Sequence, residues 1–272
     1  MSTAWNPVIL RLDRTDDRAD VDGAALLKGL VDGDIPVLVL RGLLPAPVFA
    51  ANRDRIVPLF DQAATTRYAN GSLTTIGPYL AKHLGDPQAY FAEAARAEAL
   101  TASVGFDLAA RTRAALAELL GLRSFEPTVE PDGRRYAEQN VRIYQDAVRT
   151  PLHNDNMMRD AAGTGLLLAE LSYHLSCVVC IQECDEGGEL EIHHRVWQSS
   201  DEDYKVIGGL GYDDAVVAGA RSCRFKPEAG DVYLLNPTQY HSIERVGGQD
   251  RVTMGFFFGF FDSALTDASS WV

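Results

Sequence analysis

The chain has 272 residues, of which 46% are hydrophobic and 23% charged, and its formal net charge is −13. This composition is ordinary for a globular protein and excludes a chain that is disordered throughout. The acidic balance, without a basic stripe of interleaved aromatic residues, disfavours nucleic acid as a partner. No apolar run approaches the roughly 18–20 residues that cross a bilayer, and the N-terminus lacks the pattern of a signal peptide. We therefore expect a cytoplasmic protein with no membrane partner.

The first half of the chain has mainly helical patterns. Periodicity and helix propensity predict four helices, over residues 20–31, 48–59, 87–100 and 108–122. A β-branched run at 35–41 predicts one buried strand, and the glycine- and proline-containing stretch 66–82 predicts a loop. These helices carry no recognisable chemistry, and we interpret them as support for the second half.

From about residue 135 the pattern changes to short apolar strands separated by turns. The predicted strands cover residues 136–148, 166–175, 178–182, 186–194, 223–226, 232–236 and 252–261. Short strands between regular turns favour a barrel or jelly roll, and helices followed by strands indicate the α+β class. We predict one domain over 1–272, with helical support in 1–134 and a jelly-roll core in 135–272. The irregular segment 197–221 fits either a lid or a plain surface loop.

Two of the four cysteines, Cys177 and Cys180, have a spacing compatible with zinc or redox chemistry. They lie in a predicted strand, where a separation of three residues places two side chains on opposite faces. We therefore interpret them as small buried thiols and not as ligands of one metal.

The stretch 149–156 contains His153 and Asp155, two residues apart. In an extended segment, residues i and i+2 point to the same face, so an imidazole and a carboxylate converge there. They supply two of the three ligands of a 2-His-1-carboxylate iron site, which leaves coordination positions open. The pattern His-x-Asp also occurs by chance, and the alternative is a surface histidine beside a turn carboxylate.

A second histidine and an arginine stand far along the chain. His241 opens a predicted strand, and Arg251 follows it across the turn 246–250, whose two glycines predict a hairpin. That hairpin would bring Arg251 alongside the strand of His241. The planar fork of arginine suits a carboxylate, and Thr253 lies on the same face. Each residue alone has a structural alternative, but together they fit one layout on an all-β half.

The order His153-x-Asp155, His241, Arg251 resembles that of the iron(II)/2-oxoglutarate-dependent oxygenases. Other stretches are similar to a bacterial subgroup that contains N-substituted amino acid hydroxylases and indole-alkaloid aliphatic halogenases. These stretches are Arg142, Leu171-Ser172-Tyr173, Gly187-Gly188-Glu189-Leu190, 230–236 and 38–45. The resemblance covers nearly the whole chain and implies a double-stranded β-helix core with N-terminal helices packed on it.

The resemblance implies a role for each matching residue. His153, Asp155 and His241 would bind Fe(II), and Arg251 would hold the distal carboxylate of 2-oxoglutarate. The reaction would consume O2 and convert 2-oxoglutarate to succinate and carbon dioxide, while an unactivated aliphatic C–H bond is hydroxylated.

Other assignments concern the remaining contacts. Arg142 and Thr253 would contact the same co-substrate. Ser172 would lie near the reacting oxygen and orient the substrate. The segment 71–79 would line the substrate pocket, and Arg159 is a candidate basic partner for a carboxylate on the substrate.

Halogenases of this subgroup have glycine where this chain has Asp155, and the resemblance therefore predicts a hydroxylase. The expected substrate is an amino acid or an amino-acid-derived small molecule. Desaturation or cyclisation would use the same residues, and a non-oxidative metal cupin would not need Arg251. A scaffold with a vestigial site is a third class, and both a monomer and a homodimer are compatible with the sequence.

Overall fold

The computed structural model describes residues 5–13 and 18–272. In this part of the chain the helices are α1 (Gly23–Asp32), α2 (Ala46–Ile56), α3 (Pro87–Ser103), α4 (Leu108–Leu120) and α5 (Met157–Asp160). Short 3-10 helices cover Val57–Gln62, Leu80–Lys82, Leu167–Glu170, Ser199–Tyr204 and Asp214–Val217.

The strands of the first half and the middle are β1 (Val8–Arg11), β2 (Leu38–Arg41), β3 (Ala64–Tyr68), β4 (Gly71–Ile76), β5 (Ser124–Pro127), β6 (Asn140–Tyr144), β7 (Thr150–His153) and β8 (Tyr173–Gln182). Those of the last third are β9 (Glu186–Gly187), β10 (Leu190–Val196), β11 (Ser222–Phe225), β12 (Val232–Leu235), β13 (Gln239–Ile243), β14 (Val246–Gly247), β15 (Arg251–Phe260) and β16 (Asp267–Trp271).

Most of these strands belong to two sheets. The larger sheet has ten strands in the order β1-β2-β12-β8-β15-β6-β4-β3, with β16 paired to β15 and β5 paired to β16. The smaller sheet has the order β11-β10-β13-β7. Apolar side chains of both sheets meet in one buried cluster, in which Leu190 and Ile243 of the smaller sheet accompany Tyr233 and Leu235 of the larger. The mixture of helices and sheets confirms the α+β prediction.

The helices of the first half pack on the face of the larger sheet that points away from the smaller sheet. Leu27 of α1 and Leu116 of α4 belong to the same buried cluster as Leu175, Cys177 and Val179 of β8. The intervening residues of β8 point to the other face, because side chains alternate along a strand. This alternation confirms that the side chains at positions 177 and 180 do not share a face. All four cysteines are buried and free, as expected.

Local sequence explains where the helices begin and end. The side chain of Asp22 accepts a hydrogen bond from the backbone N–H of Ala25 at the start of α1, which satisfies a donor that the helix leaves free. Gly121 ends α4 with a φ of 69°, a left-handed conformation that favours glycine. The four predicted helices are therefore confirmed, with boundaries shifted by a few residues.

The prediction of a loop over 66–82 was wrong for most of that stretch. Strands β3 and β4 form an antiparallel hairpin in which Tyr68 pairs with Gly71. The hairpin is rich in threonine, and threonine, with its branched Cβ, suits a pleated strand. The glycine and proline signals apply only to the turn and to residues 77–78. Strands β1, β5 and β16 were not predicted.

The predicted hairpin between the strands of His241 and Arg251 was also wrong. β13 lies in the smaller sheet and β15 in the larger, and the intervening β14 pairs with β9. Arg251 is paired with Tyr144 of β6. Two glycines between strands allow a tight turn. Here, however, β14 pairs with β9, and the connection runs from the smaller sheet to the larger. Among the described residues, every helix is too short or too polar to cross a bilayer.

Candidate metal centre

Three predicted ligands converge at one end of the smaller sheet. His153 ends β7 and His241 lies opposite it on β13, while Asp155 follows β7 by two residues. The Nε2 atoms of His153 and His241 each lie 3.8 Å from Oδ2 of Asp155. One ligand atom from each residue falls within 4.8 Å of the others. The structure therefore brings together the three residues that the sequence indicated.

Backbone carbonyl groups orient both imidazole rings. Nδ1 of His153 is 2.8 Å from the carbonyl oxygen of Pro151, and Nδ1 of His241 is 2.9 Å from that of Gln239. Because a carbonyl oxygen only accepts, each Nδ1 carries the proton that it donates. In the neutral ring the lone pair then lies on Nε2, which faces Asp155. Such contacts are typical of histidines that bind metals.

The charge states of the ligands also suit a metal. Burial, and to a smaller extent the charge of the neighbouring His153, lower the pKa of His241 to about 3, so the ring is neutral at neutral pH. Burial raises the pKa of Asp155, but the charges of His153, His241 and Arg142 outweigh this effect and lower it overall. Two neutral nitrogens and one carboxylate form the donor set of the facial triad of non-haem iron oxygenases.

A cleft of about 630 Å³ adjoins the ligands and lies between the two sheets. The larger sheet contributes Arg142 and Tyr144 from β6 and Thr253 from β15, which is paired with Arg142. Arg142 and Tyr144 share a face because side chains alternate along a strand. We call this space the inner cleft.

Arg251 lies at the inner cleft, behind two tyrosines that line it. The residue is 2% exposed, and its Nη2 donates to the hydroxyl oxygen of Tyr233 at 2.9 Å. Its guanidinium carbon lies 5.0 Å from the centre of the Tyr144 ring. Within the described part of the chain, no carboxylate pairs with Arg251, and its Nε has no hydrogen-bond partner. A buried, uncompensated guanidinium fits an anionic ligand.

A second cavity, of about 710 Å³, adjoins the same ligands. It shares His153, Asp155 and Arg142 with the inner cleft. Its walls are largely apolar and include Leu73, Leu80, Met157, Leu210 and Phe257. We call this space the outer cavity.

His174 of β8 also lines the outer cavity. Its ring packs against Phe257 and Trp271, with centroids 4.8 and 5.0 Å away. Burial lowers the pKa of His174 to about 4. Sequence reasoning did not select this residue, although strand alternation places it on the same face as Ser176, another undetected residue of the inner cleft.

Two predicted substrate residues lie elsewhere. Ser172 is exposed, and its hydroxyl donates to the carbonyl oxygen of Phe261 at 2.9 Å. Arg159 forms an ion pair of 2.7 Å with Asp160 and stacks over Trp197. Neither is among the residues that line the inner cleft or the outer cavity, so the geometry gives no support to these two assignments.

Comparison with known proteins places the chain in a family. Residues 12–264 match the family described as carrier-protein-independent halogenase WelO5. The chain belongs to this family, and it is an Fe(II)/2-oxoglutarate-dependent oxygenase. Its cofactors are therefore Fe(II), 2-oxoglutarate and O2.

Similar proteins are known from bacteria and fungi. An N-substituted L-amino acid dioxygenase from Burkholderia ambifaria, solved with α-ketoglutarate, has 19% identity and a TM-score of 0.61, with 92% of this chain and 91% of that chain covered. The epimerase SnoN from nogalamycin biosynthesis has 15% identity and a TM-score of 0.51, with 87% and 84% covered. The leucinostatins biosynthesis cluster protein S of Purpureocillium lilacinum is 24% identical over 161 residues, which cover 57% of this chain and 63% of that protein.

Proposed function

We propose that this protein hydroxylates an unactivated aliphatic C–H bond of a small molecule, an amino acid or an amino-acid-derived metabolite. The observation that carries this proposal is the carboxylate of Asp155, which lies 3.8 Å from Nε2 of both His153 and His241. The carboxylate completes a set of three protein ligands. It occupies the place where halogenases similar to this chain have glycine and accept chloride.

Halogenation is the second candidate, because the matching family is described by a halogenase. An oxygenase with three protein ligands and a bound co-substrate has no coordination position left for a halide beside O2. Asp155 therefore favours hydroxylation. A non-oxidative metal cupin would have no use for the buried, uncompensated charge of Arg251.

When bound, iron together with 2-oxoglutarate and O2 supplies the oxidising power, and 2-oxoglutarate leaves as succinate and carbon dioxide. The chain's own residues bind and orient. Arg251 would hold the distal carboxylate of 2-oxoglutarate in the inner cleft through its planar fork. Arg142 and Thr253, which are paired across neighbouring strands, would contact the same co-substrate.

The outer cavity is the proposed substrate side. Its apolar walls would position the reactive C–H bond beside the metal ligands and exclude water. The charged groups Arg142 and Asp160 also line it, which is compatible with an amino-acid-derived substrate. The activity named for the Burkholderia ambifaria protein supports the same class.

The two facing sheets support a further part of the proposal. We infer that they form a double-stranded β-helix of the jelly-roll type, within one domain spanning residues 1–272. The ligands lie on the smaller sheet and Arg251 on the larger, so that both sheets are needed to complete the site.

Anaerobic titration of the Fe(II)-loaded protein with 2-oxoglutarate tests the cofactor chemistry. We expect a weak visible charge-transfer band that saturates near one equivalent. Succinate release is then screened with free and N-substituted amino acids, and products are analysed by mass spectrometry in chloride buffer. A mass gain of one oxygen atom supports hydroxylation, whereas a chlorinated product would contradict it. Bound iron without the band would favour the non-oxidative cupin.

A further inference from the structure

Two segments meet over the outer cavity, and they touch at their tips. One is the β3–β4 hairpin, which turns at Ala69 and Asn70, and the other is the 205–211 loop. The backbone N–H of Ala69 donates to the carbonyl oxygen of Gly208 at 3.2 Å. Nδ2 of Asn70 donates to the carbonyl oxygen of Leu210 at 2.9 Å, and its Oδ1 accepts from the N–H of Leu210 at 2.7 Å.

The amide of Asn70 thus satisfies both backbone groups of Leu210, as a neighbouring strand would. The contact requires a close approach to the preceding residue. A Cβ atom added at Gly209 would lie 2.7 Å from Oδ1 of Asn70, so a side chain at this position would push the two segments apart. Glycine and asparagine together make this geometry possible.

The loop is anchored at its base, and among the described residues its tip is hydrogen-bonded to the rest of the chain through the hairpin alone. At the base, the N–H of Tyr212 donates to the carbonyl oxygen of Leu152, the residue before the ligand His153. At the tip, Ile207 is 98% exposed and therefore contributes no burial that would hold the loop down. Few buried apolar contacts, and hydrogen bonds that are only partly buried, are the features of a segment that opens locally.

Closure of this loop has a direct consequence for the outer cavity. Leu210 from the loop and Leu73 from the hairpin both line it, together with His153 and Asp155. We propose that Asn70 is a positioning residue that holds the 205–211 loop over the outer cavity and thereby sets access to the metal ligands. The inference rests on the proposed function only in taking the outer cavity as the substrate side.

Hydrogen exchange of the metal-loaded protein, without any substrate, tests the contact between Asn70 and Leu210. In Asn70→Ala both side-chain hydrogen bonds to Leu210 are lost, so we expect its amide to exchange at least about tenfold faster. Asn70→Asp keeps the side-chain acceptor and loses the donor. The exchange rate of the Leu210 amide in this variant should therefore lie between the rates in wild type and in Asn70→Ala. Exchange at Tyr212, which is anchored to Leu152, should not change.

A matched control comes from the same hairpin. Thr65 and Thr74 share an exposed hydrogen bond of 2.9 Å between their hydroxyl oxygens, away from the loop. Thr65→Ala therefore removes a side-chain hydrogen bond of the hairpin without touching Leu210. Equal exchange at Leu210 in wild type and Asn70→Ala, or equal acceleration in Thr65→Ala, would overturn the proposal.

Oxidation of Met157 measures access to the outer cavity itself. Met157 lines that cavity and is 4% exposed, whereas Met254 is fully buried in the main core. With Zn(II) in the metal site, so that peroxide meets no iron, Asn70→Ala should form sulfoxide at Met157 severalfold faster. Met254 should stay unchanged. If sulfoxide forms faster at neither methionine, or at both, Asn70 does not control access to the outer cavity. This conclusion is independent of the reaction that the enzyme performs.

Discussion

The two sides of the metal centre are built differently. On the inner side, Arg251, Thr253 and Tyr233 are each 2% exposed and lie on strands of the larger sheet. On the outer side, Leu73 and Leu210 are half-buried. Leu73 lies on β4, which pairs with β6 of the larger sheet, whereas Leu210 lies on a loop that, among the described residues, is hydrogen-bonded to the tip of the β3–β4 hairpin. The inner side is held by sheet ladders, and the outer side depends in addition on the contact between hairpin and loop.

Under the proposed function, the inner side serves the cofactor chemistry and the outer side determines which substrate is accepted. A co-substrate shared by a whole family needs a charged group at a fixed place, and a strand buried on both faces provides it. The substrate differs from enzyme to enzyme, and loops accept changes of sequence and conformation more readily than sheets. Substitutions on the two sides should therefore have separable effects.

The largest expected effect is at the ligands that both sides share. In Asp155→Gly, we expect iron affinity to fall by more than about 100-fold, because loss of an outer-shell partner alone causes a decrease of about 10–100-fold. Hydroxylation should be lost with it. Asp160→Asn is the matched control for iron affinity, which it should leave unchanged, since that carboxylate lines the outer cavity but is not one of the three ligands. Full hydroxylation by Asp155→Gly would show that Asp155 is not a ligand.

A smaller effect should be confined to the inner side. Arg251→Met removes the buried guanidinium, and we expect the affinity for 2-oxoglutarate to fall by about 100-fold, since a hydrogen bond to a charged group contributes about 1.5–3 kcal/mol. Iron binding should be unchanged. The titration of the charge-transfer band measures both the affinity for 2-oxoglutarate and the amount of bound iron.

The control for that substitution is a second buried arginine. Arg113 of α4 is 5% exposed and pairs with Glu138 on the helical side of the larger sheet. Arg113→Met should lower the stability without changing the affinity for 2-oxoglutarate. A loss of affinity in both variants would mean that Arg251 acts through the fold and not through the co-substrate.

The smallest effect concerns His174, which lies on β8 and lines the outer cavity. Its pKa of about 4 lies below its ordinary value of 6.5 because of burial, so between these values the unfolded chain binds more protons than the folded one. Stability should therefore fall as the pH is lowered from 6.5 towards 4. From pH 7 to pH 5 this histidine should contribute about 2 kcal/mol of the loss.

Urea unfolding of the metal-free protein at these two pH values checks this prediction. Nδ1 of His174 accepts from the N–H of Met157 at 3.3 Å, and the side-chain oxygen in His174→Asn can take its place. In this variant the loss of stability between pH 7 and pH 5 should be about 2 kcal/mol smaller than in wild type. An equal loss in both proteins would show that water reaches the ring, and that the outer cavity is wetter than its apolar walls imply.

Some residues were recognisable from the sequence because their relation is local. Alternation along an extended segment places His153 and Asp155 on one face, whatever the rest of the chain does. The same rule separated the side chains of Cys177 and Cys180. Helix propensity located the helices for the same reason.

Other relations depend on how strands pair, and local patterns do not contain that information. Arg251 reaches the site from the sheet opposite His241, because β14 pairs with β9 and carries the chain across. Ser172, which immediately precedes β8, and Ser176, which lies on it, have the same parity, yet four extended residues span roughly 13 Å. Only the position of β8 in the sheet decides that Ser176 lines the inner cleft while Ser172 stays outside it.

The sequence by itself determined the ligand types, their facing directions and the cofactor chemistry, because these follow from residue identity, spacing and family resemblance. The tertiary structure alone decided which sheet carries each residue, which strands enclose the inner cleft, and that Asn70 meets Leu210. These features join residues that are far apart in the chain, 140 positions in the case of Asn70 and Leu210. Their geometry is set by sheet pairing and packing, which no local pattern encodes.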